Sequence, residues 1–360
     1  MHRDKFLSAL ENGFGFCSVV FGWDMADGDY DNDIQVTGWH TGYGDEDSYI
    51  DFNTYRAIPW DENTPFFLAD FTNEKGEGLA VCPRSLLKKT IAEATDMGYA
   101  PMFSQEFEWF NYRETSTDLH HKHFQNLQPI TPGMFGYSVL RMSENSDYFE
   151  DVFDLLEAFG VPLEGLHTET GPGVTEAAIQ YSDILESADR AVLFKTAVKE
   201  IGYKHGIIAS FMAKQTSALP GCSGHIHQSL WDSKKKRNLF FDGSRKEGMS
   251  DLMRQYIAGQ LHCLPEILPM FAPTVNSYKR LVEGAWAPTT LTWGNDNRTT
   301  ALRILTTGKK STRIEHRVSG SDVNPYLAMT ACLASGLFGI KNTLKLEVPE
   351  TMGNGYANLD

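Results

Sequence analysis

The sequence predicts an α+β protein with a small amino-terminal sheet domain and a larger domain of helices and short strands. The first 80 or so residues are rich in Gly, Asp and aromatic residues, and they contain strand-like segments separated by polar turns. From Pro83 onward, apolar residues recur at helical spacing, and short strand-like segments lie between the helices. The predicted domains are therefore residues 1–82 and residues 83–360.

Each element follows from a local pattern. In the first domain, apolar and aromatic runs predict strands at Ser18–Phe21, 34–37 and 66–71. Pro83 favours the start of a helix, which Gly98 ends. Apolar periodicity predicts later helices at 148–159, 187–203, 249–263 and 325–340.

Composition limits the function classes. Of the 360 residues, 41% are hydrophobic and 22% are charged, which suffices for large cores. The sequence contains neither a run of about 18 apolar residues nor a basic-then-apolar start, so we expect a cytoplasmic protein with no membrane role. Its five cysteines form no C-x-x-C pair, which argues against a disulfide framework or zinc site. A net charge of −15 argues against a nucleic-acid partner, whereas clustered carboxylates attract hard cations.

A predicted strand at residues 102–110 carries the first acidic pair. Alternation along a strand places Glu106 and Glu108 on one face, with Phe107 and Trp109 on the other. Two like charges on one face need a cation, although acidic pairs at this spacing are also common on a solvent-facing edge strand.

A second acidic pair flanks a turn. Residues 171–173 are Gly-Pro-Gly, so two short strands are expected to bring Glu169 and Glu176 together. A solvated hairpin is the alternative interpretation.

A His-x-His pattern follows a Gly- and Ser-rich run. His225 and His227 share one strand face, and Ile226 points away from it. Histidine with glutamates can ligate Mg²⁺ or Mn²⁺, although a structural histidine pair is also compatible with this pattern.

The carboxy-terminal third is rich in arginine, and the residues of interest are Arg280, Arg298, Arg303, Arg313 and Arg317. On a strand, Arg313, Glu315 and Arg317 face the same way, as an ion-pair ladder or as a binding surface. Arginine binds phosphate and carboxylate with two parallel hydrogen bonds. Together with the acidic pairs, these residues indicate phosphoryl transfer, but without the G-x-x-x-x-G-K-[ST] loop of P-loop enzymes.

The order and spacing of these motifs resemble those of glutamine synthetases from about Asp4 to Tyr356. The most specific segments are 225–229 (His-Ile-His-Gln-Ser), 276–281 (Asn-Ser-Tyr-Lys-Arg-Leu), 313–317 (Arg-Ile-Glu-His-Arg) and 324–327 (Asn-Pro-Tyr-Leu). The resemblance implies a small β-grasp domain followed by a glutamine-synthetase-type catalytic domain. Relative to family members, the chain is expected to lack the first strands and the carboxy-terminal helices.

The resemblance also implies site roles. One metal ion would be held by Glu108, Glu169 and Glu176, and a second by Glu106, His225 and Glu315. The four catalytic arginines would be Arg280, Arg298, Arg303 and Arg317. Of these, Arg298 and Arg303 would contact phosphate. The glutamate would be bound by Arg280, Arg317 and Gly221. His227, Ser229 and Arg313 would contact the nucleotide. The implied ligands are ATP, two or more Mg²⁺ or Mn²⁺ ions, glutamate or a similar acid, and an amine. The implied assembly is a ring-shaped homo-oligomer.

Two departures concern the amine. Where ammonia-using members carry an aspartate and a loop glutamate, this chain has Cys17 and Trp286, although Glu283 lies three residues before Trp286. Ammonium needs negative charge and a base, which a thiol and an indole supply poorly. We therefore expect a ligase that joins glutamate to an organic amine.

The sequence is compatible with three alternatives. The first is an ammonia-using glutamine synthetase, and the second is a guanidino kinase with no amine step. The third is a non-catalytic scaffold, which the changes at Cys17, Pro220 and Val174 would favour.

Overall fold

The structure, a computed structural model, describes residues 1–24, 26–30, 34–73, 75–245 and 247–357. It divides into two compact units, residues 1–89 and residues 90–360. The division lies within the helix that begins at Pro83, a few residues beyond the predicted boundary. Each unit contains helix and sheet, and the predicted α+β class with a small amino-terminal sheet is confirmed.

The described part of the first unit has an antiparallel sheet of order β1-β2-β3. Its elements are α1 (Arg3–Asn12), β1 (Phe14–Cys17), β2 (Asp45–Ile58) and β3 (Thr64–Thr72), followed by α2 (Pro83–Asp96). The strand predicted at 66–71 and the helix predicted from Pro83 are therefore confirmed.

Two predicted strands of this unit are wrong. Ser18–Phe21 forms a 3₁₀ helix, and residues 34–37 form turns. The Ser18 amide donates to the Gly44 carbonyl at 3.0 Å, and its hydroxyl lies 3.1 Å from that of Thr37. These local bonds satisfy both segments without a sheet partner, and apolar runs this short do not distinguish strand from helix.

The second unit contains a mostly antiparallel sheet. Its described strands are β4 (Tyr99–Tyr112), β5 (Leu163–Thr168), β6 (Val174–Ile179), β7 (Ser182–Asp183), β8 (Ile208–Ser210), β9 (Ile226–Asp232), β10 (Trp293–Asn295), β11 (Leu302–Leu305) and β12 (Arg313–His316). The main order is β10-β11-β12-β9-β4-β6-β5, and β7 and β8 also pair with β4. The long strand β4 therefore contacts four other strands.

Helices of the second unit agree with the predicted periodicity. They are α3 (Ser116–His121), α4 (Val139–Ser143), α5 (Ser146–Ala158), α6 (Ile184–Lys204), α7 (Asp251–Ile267), α8 (Val275–Tyr278) and α9 (Pro325–Lys341). The helices predicted at 148–159, 187–203, 249–263 and 325–340 correspond to α5, α6, α7 and α9 and are confirmed.

The core lies on the helix side of this sheet. Phe107 and Trp109 of β4 are fully buried, and their rings lie 5.7 and 5.6 Å from the ring of Phe194 in α6. Helices α7 and α9 approach closely at glycines, because a Cβ on Gly259 would lie 2.2 Å from the Ser335 carbonyl oxygen. Among the described residues, the helices are too short or too polar to span a bilayer.

Candidate active site

Strand β4 supplies the centre of the site. Its alternation buries Phe107 and Trp109, so Glu106 and Glu108 lie on the opposite face. Glu108 is the cross-strand partner of Glu176 on β6, while the Glu106 amide donates to the His225 carbonyl beside β9. Strands on both sides of β4 therefore add polar groups to one surface.

The six predicted metal ligands line one cavity of about 490 Å³. They are Glu106, Glu108, Glu169, Glu176, His225 and Glu315. Arg298, Arg303, Arg317 and Trp286 line the same cavity. The fold thus brings together residues from separate segments of the sequence. The individual roles of these residues stay predictions.

Glu106, His225 and Glu315 form one donor group. The His225 Nδ1 atom lies 2.8 Å from Glu106 Oε1 and 3.5 Å from Glu315 Oε1. Neighbouring ligands around an octahedral cation with bonds of about 2.1 Å lie about 3 Å apart, so this spacing fits one hard cation. The His225 Nε2 atom is buried and has no hydrogen-bond partner among the described residues. This histidine is therefore incompletely bonded by the protein alone.

His227 stabilises the orientation of Glu106. Its Nδ1 accepts a hydrogen bond from Arg313 Nε at 3.1 Å, which leaves the proton on Nε2, 3.2 Å from Glu106 Oε2. Although His227 lies within 4.8 Å of the Glu106 and Glu315 donors, both of its ring nitrogens have protein partners. The two imidazoles therefore differ in one respect, since His225 alone of the pair keeps a nitrogen, Nε2, without a partner among the described residues.

Neighbouring basic groups lower the pKa of two of these carboxylates. Burial opposes ionisation of Glu315, but Arg317 and His225 lower its pKa to about 2. Glu315 contacts Arg317, and its Oε2 accepts from Arg303 Nη1 at 2.8 Å. Burial likewise opposes ionisation of Glu106, but His227 and His225 keep its pKa well below the ordinary value.

A second donor group comprises His167, Glu169 and Glu176, whose donor atoms lie within 4.8 Å of one another. Burial, followed by the charges of Glu106 and Glu108, raises the pKa of Glu176 to about 8. A cation at this position would relieve that repulsion. The sequence prediction assigned no role to His167, although the strand period places it on the same face as Glu169.

The turn between β5 and β6 requires glycine. Gly173 has a φ of 70°, and a Cβ there would lie 2.7 Å from the Asn111 carbonyl oxygen. Thr170 donates to Glu169 Oε1 from its amide at 2.7 Å and from its hydroxyl at 2.8 Å. The turn thereby fixes one carboxylate while β6 presents the other.

The cavity arginines differ in how they are bonded. Arg303 is tied to Glu315 and to Asp296, and Arg317 donates to the carbonyls of Arg298 at 3.0 Å and Trp286 at 3.4 Å. The exposed Arg298 side chain, in contrast, makes no hydrogen bond or ion pair with any described residue. Arg298 is therefore the guanidinium available to an incoming anion.

Arg280 and Gly221 line a smaller adjoining cavity that also contains Trp286. Arg280 is buried and donates to the carbonyls of Val318 at 2.9 Å and Arg317 at 3.1 Å. A Cβ on Gly221 would lie 2.5 Å from the Ala213 carbonyl oxygen, so only glycine fits. In this structure Arg280 positions the backbone at Arg317, and its predicted contact with a substrate carboxylate stays a prediction.

The predicted nucleotide contacts line a third cavity, of about 400 Å³. His227, Ser229 and Arg313 lie there, and Glu106 lines both this cavity and the one that holds the metal-type ligands. Tyr181, Trp231 and Lys310 also line it and were not predicted from the sequence. Their segments carry no pattern that sets them apart from ordinary strand and turn residues.

Two aromatic residues of the first cavity have unusual backbones. Trp286 has a φ of 59° and is 58% exposed, and Tyr137 has a φ of 56° and is 71% exposed. The Tyr137 ring centroid lies 4.7 Å from that of His167. Tyr137 was not predicted.

Cys17 lies at the end of β1 in the first unit. Its thiol donates a hydrogen bond to the Tyr43 carbonyl at 3.5 Å, and its role at the amine stays a prediction.

Comparisons with known proteins give a consistent family. Residues 80–359 match the glutamine synthetase catalytic domain. Type-1 glutamine synthetase 2 of Dictyostelium discoideum is 54% identical, over 99% of this chain and 68% of that protein. Glutamate–isopropylamine ligase of a Pseudomonas species is 36% identical, over 97% of this chain and 75% of that protein.

A solved structure agrees in fold. The chain matches a GmaS/ADP complex with a TM-score of 0.83 and 26% identity, over 98% of this chain and 77% of the other. The glutamine-synthetase-type fold expected from the sequence is thereby confirmed. From the domain match and these relatives, we conclude that the chain belongs to the glutamine synthetase family of ligases.

Proposed function

We propose that this ligase uses ATP to activate the side-chain carboxylate of glutamate, or of a related acid, and joins it to an organic amine. The observation that carries the amine proposal is Trp286, which lines the cavity together with Glu169 at the position where the family resemblance expects a glutamate. An indole offers an apolar face and cation–π attraction, but it cannot act as a base.

The acidic residues that line the larger cavity could hold two divalent cations in the grouping that the family resemblance implies. Glu108, Glu169 and Glu176 would hold one, and Glu106, His225 and Glu315 the other. Bound there, Mg²⁺ or Mn²⁺ would neutralise charge on the phosphates and on the substrate carboxylate.

The chain's own residues account for the positioning. A nucleotide in the cavity of His227, Ser229 and Arg313 would direct its terminal phosphate past Glu106 toward Arg298 and Arg303. A carboxylate oxygen then attacks the γ-phosphorus, the bond to the β-phosphate oxygen breaks, and ADP leaves. The amine lone pair attacks the carbonyl carbon of the resulting acyl phosphate, the bond between that carbon and the phosphate oxygen breaks, and inorganic phosphate leaves with the proton that the amine nitrogen loses.

The choice of an organic amine has further support. Glu283, which could have replaced the missing loop carboxylate, is exposed and lines neither of the cavities that contain Trp286. Relatives at 36% identity include glutamate–isopropylamine ligase and, from Streptomyces coelicolor, γ-glutamylethanolamide synthetase GlnA4. These enzymes are named for organic amines.

An amine panel tests this proposal. Purified protein with ATP, Mg²⁺ and glutamate should release phosphate with at least one organic amine, and the product mass should equal that of the γ-glutamyl amide. The reference is ammonia at the same concentration of free base. A higher kcat/KM with ammonia than with every organic amine would contradict the organic-amine part.

An ammonia-using glutamine synthetase is the second candidate, because the 54% identical relative is named a type-1 glutamine synthetase. The same panel separates the two. A non-catalytic scaffold would instead show no turnover with any amine. The ring-shaped assembly and the cytoplasmic location stay predictions, which gel filtration with light scattering and cell fractionation would test.

A further inference from the structure

A strongly basic turn follows β9 in a protein whose net charge is −15. Lys234, Lys235, Lys236 and Arg237 are consecutive, and all four are exposed. Lys309 and Lys310, on the segment before β12, are exposed as well. We call these six residues the basic rim.

The basic rim lies at the cavity that contains His227 and Ser229. Asn238, which ends the turn, donates from Nδ2 to the carbonyl of Thr312 at 2.7 Å and to that of Lys310 at 3.4 Å. The cavity is lined by Lys310 and Thr312, and also by Trp231, which precedes the turn. The turn is thus attached to the cavity wall at its base.

A salt bridge fixes the turn from the opposite side. Lys235 Nζ lies 2.5 Å from Asp183 Oδ1, two residues beyond Tyr181, another residue of the cavity wall. The turn is therefore held between two segments that contribute residues to the wall of this cavity.

Acidic groups around the mouth do not cancel this charge. Asp183 is already paired with Lys235, and Asp232 accepts from the backbone amide of Lys236 at 2.9 Å. Glu106 and Glu164 line the cavity itself. The side chains of Lys234 and Lys236 have no ion-pair partner among the described residues, so their charge is directed to solvent.

We propose that the basic rim attracts the triphosphate of the nucleotide and raises its rate of entry into the cavity. The proposal rests on the proposed use of ATP. Charges clustered at a cleft increase the association rate of an oppositely charged ligand, and salt weakens the effect because the Debye length falls from about 30 Å at 0.01 M to about 3 Å at 1 M. On an otherwise acidic surface, such a rim would offset the repulsion of a polyanion.

Charge reversal tests the rim directly. Stopped-flow binding of a fluorescent ATP analogue with Mg²⁺ is compared for wild type, Lys236→Glu and Lys234→Glu/Lys236→Glu. We expect the association rate of the double variant to fall about tenfold at low salt and to match wild type at high salt. The dissociation rate and the kcat at saturating ATP should stay unchanged, whereas kcat/KM for ATP falls.

Lys204→Glu is the matched single reversal for Lys236→Glu. Lys204 ends α6, whose first residue follows Asp183, so about 30 Å of helix separates it from the rim. Equal losses in Lys204→Glu and Lys236→Glu, or unchanged association in the double variant, would overturn the proposal. A wild type that binds no nucleotide overturns both the rim and the use of ATP, whereas binding without turnover overturns only the proposed ligation.

Discussion

Trp286 has a left-handed backbone, which is uncommon for any residue except glycine and asparagine. Its φ of 59° costs on the order of 1 to 3 kcal/mol, so surrounding contacts must stabilise it. One such contact is the hydrogen bond from Arg317 to the Trp286 carbonyl, at 3.4 Å. Arg317, which also contacts Glu315, therefore helps to hold the indole at the cavity.

Replacing this indole with a carboxylate should change the amine preference. We expect Trp286→Glu to raise kcat/KM for ammonia relative to an organic amine by about tenfold or more, because a carboxylate attracts ammonium and can accept its proton. Competition assays with product mass detection measure this ratio. Val282→Glu is the control, since Val282 is exposed on the same loop and lines neither cavity. An unchanged ratio in Trp286→Glu would mean that the indole only packs.

At the residue scale, the sequence predicts which side chains share one face of a strand, because side chains alternate between the two faces. Glu106 and Glu108 follow from strand alternation, and Arg313, Glu315 and Arg317 follow in the same way. Tyr137 could not be found, because it reaches the cavity from a loop whose backbone direction no periodicity specifies. The bonding of Arg280 to two carbonyls depends equally on tertiary contacts.

At the scale of elements, length decides how well the sequence predicts. The long helices α6 and α9 contain several turns of apolar periodicity, and both are confirmed. The Ser18–Phe21 segment is only four residues long and becomes a 3₁₀ helix through its bonds to Gly44 and Thr37. Short apolar runs carry too little periodicity to outweigh such contacts.

Helices α7 and α9 depend on glycine for their close approach. In Gly259→Ala the new methyl group would meet the Ser335 carbonyl and the Gly339 backbone at 2.2 to 2.7 Å. Forcing the helices apart should lower the free energy of unfolding by about 1 to 3 kcal/mol, a loss of several degrees in a thermal melt. Gly165→Ala in β5 is the control, since its added Cβ meets nothing within 4 Å. Equal melting temperatures for the two variants would contradict this account of the helix contact.

At the scale of the whole molecule, the site concentrates negative charge that the fold itself only partly compensates. Arg303 and Arg317 neutralise Glu315, and His225 and His227 face Glu106. Glu176, which lies beside Glu106 and Glu108, retains a pKa raised to about 8. The folded protein should therefore bind protons there when no cation is bound.

Divalent cations should stabilise the protein, and more so at higher pH. Below about pH 8, protons bound by Glu176 and by its partner His167 compete with the cation, so the apparent affinity should fall as the pH is lowered from 8 to 6. The rise in melting temperature on adding Mg²⁺ or Mn²⁺ should decrease accordingly. Glu176→Gln should remove most of this pH dependence, and Glu164→Gln, in the neighbouring cavity, should retain it. An identical rise at pH 6 and pH 8 would contradict the prediction.

Strand β4 also restricts how this protein can diverge. Its alternating side chains serve the core on one side and the carboxylate surface on the other, over a single stretch of backbone. Inserting or deleting one residue between Tyr99 and Gln105 would exchange the two sets, placing Glu106 and Glu108 in the apolar interior and exposing Phe107 and Trp109. Natural variants of this strand should therefore differ by substitution at constant length, and length changes should accumulate in the loops outside it.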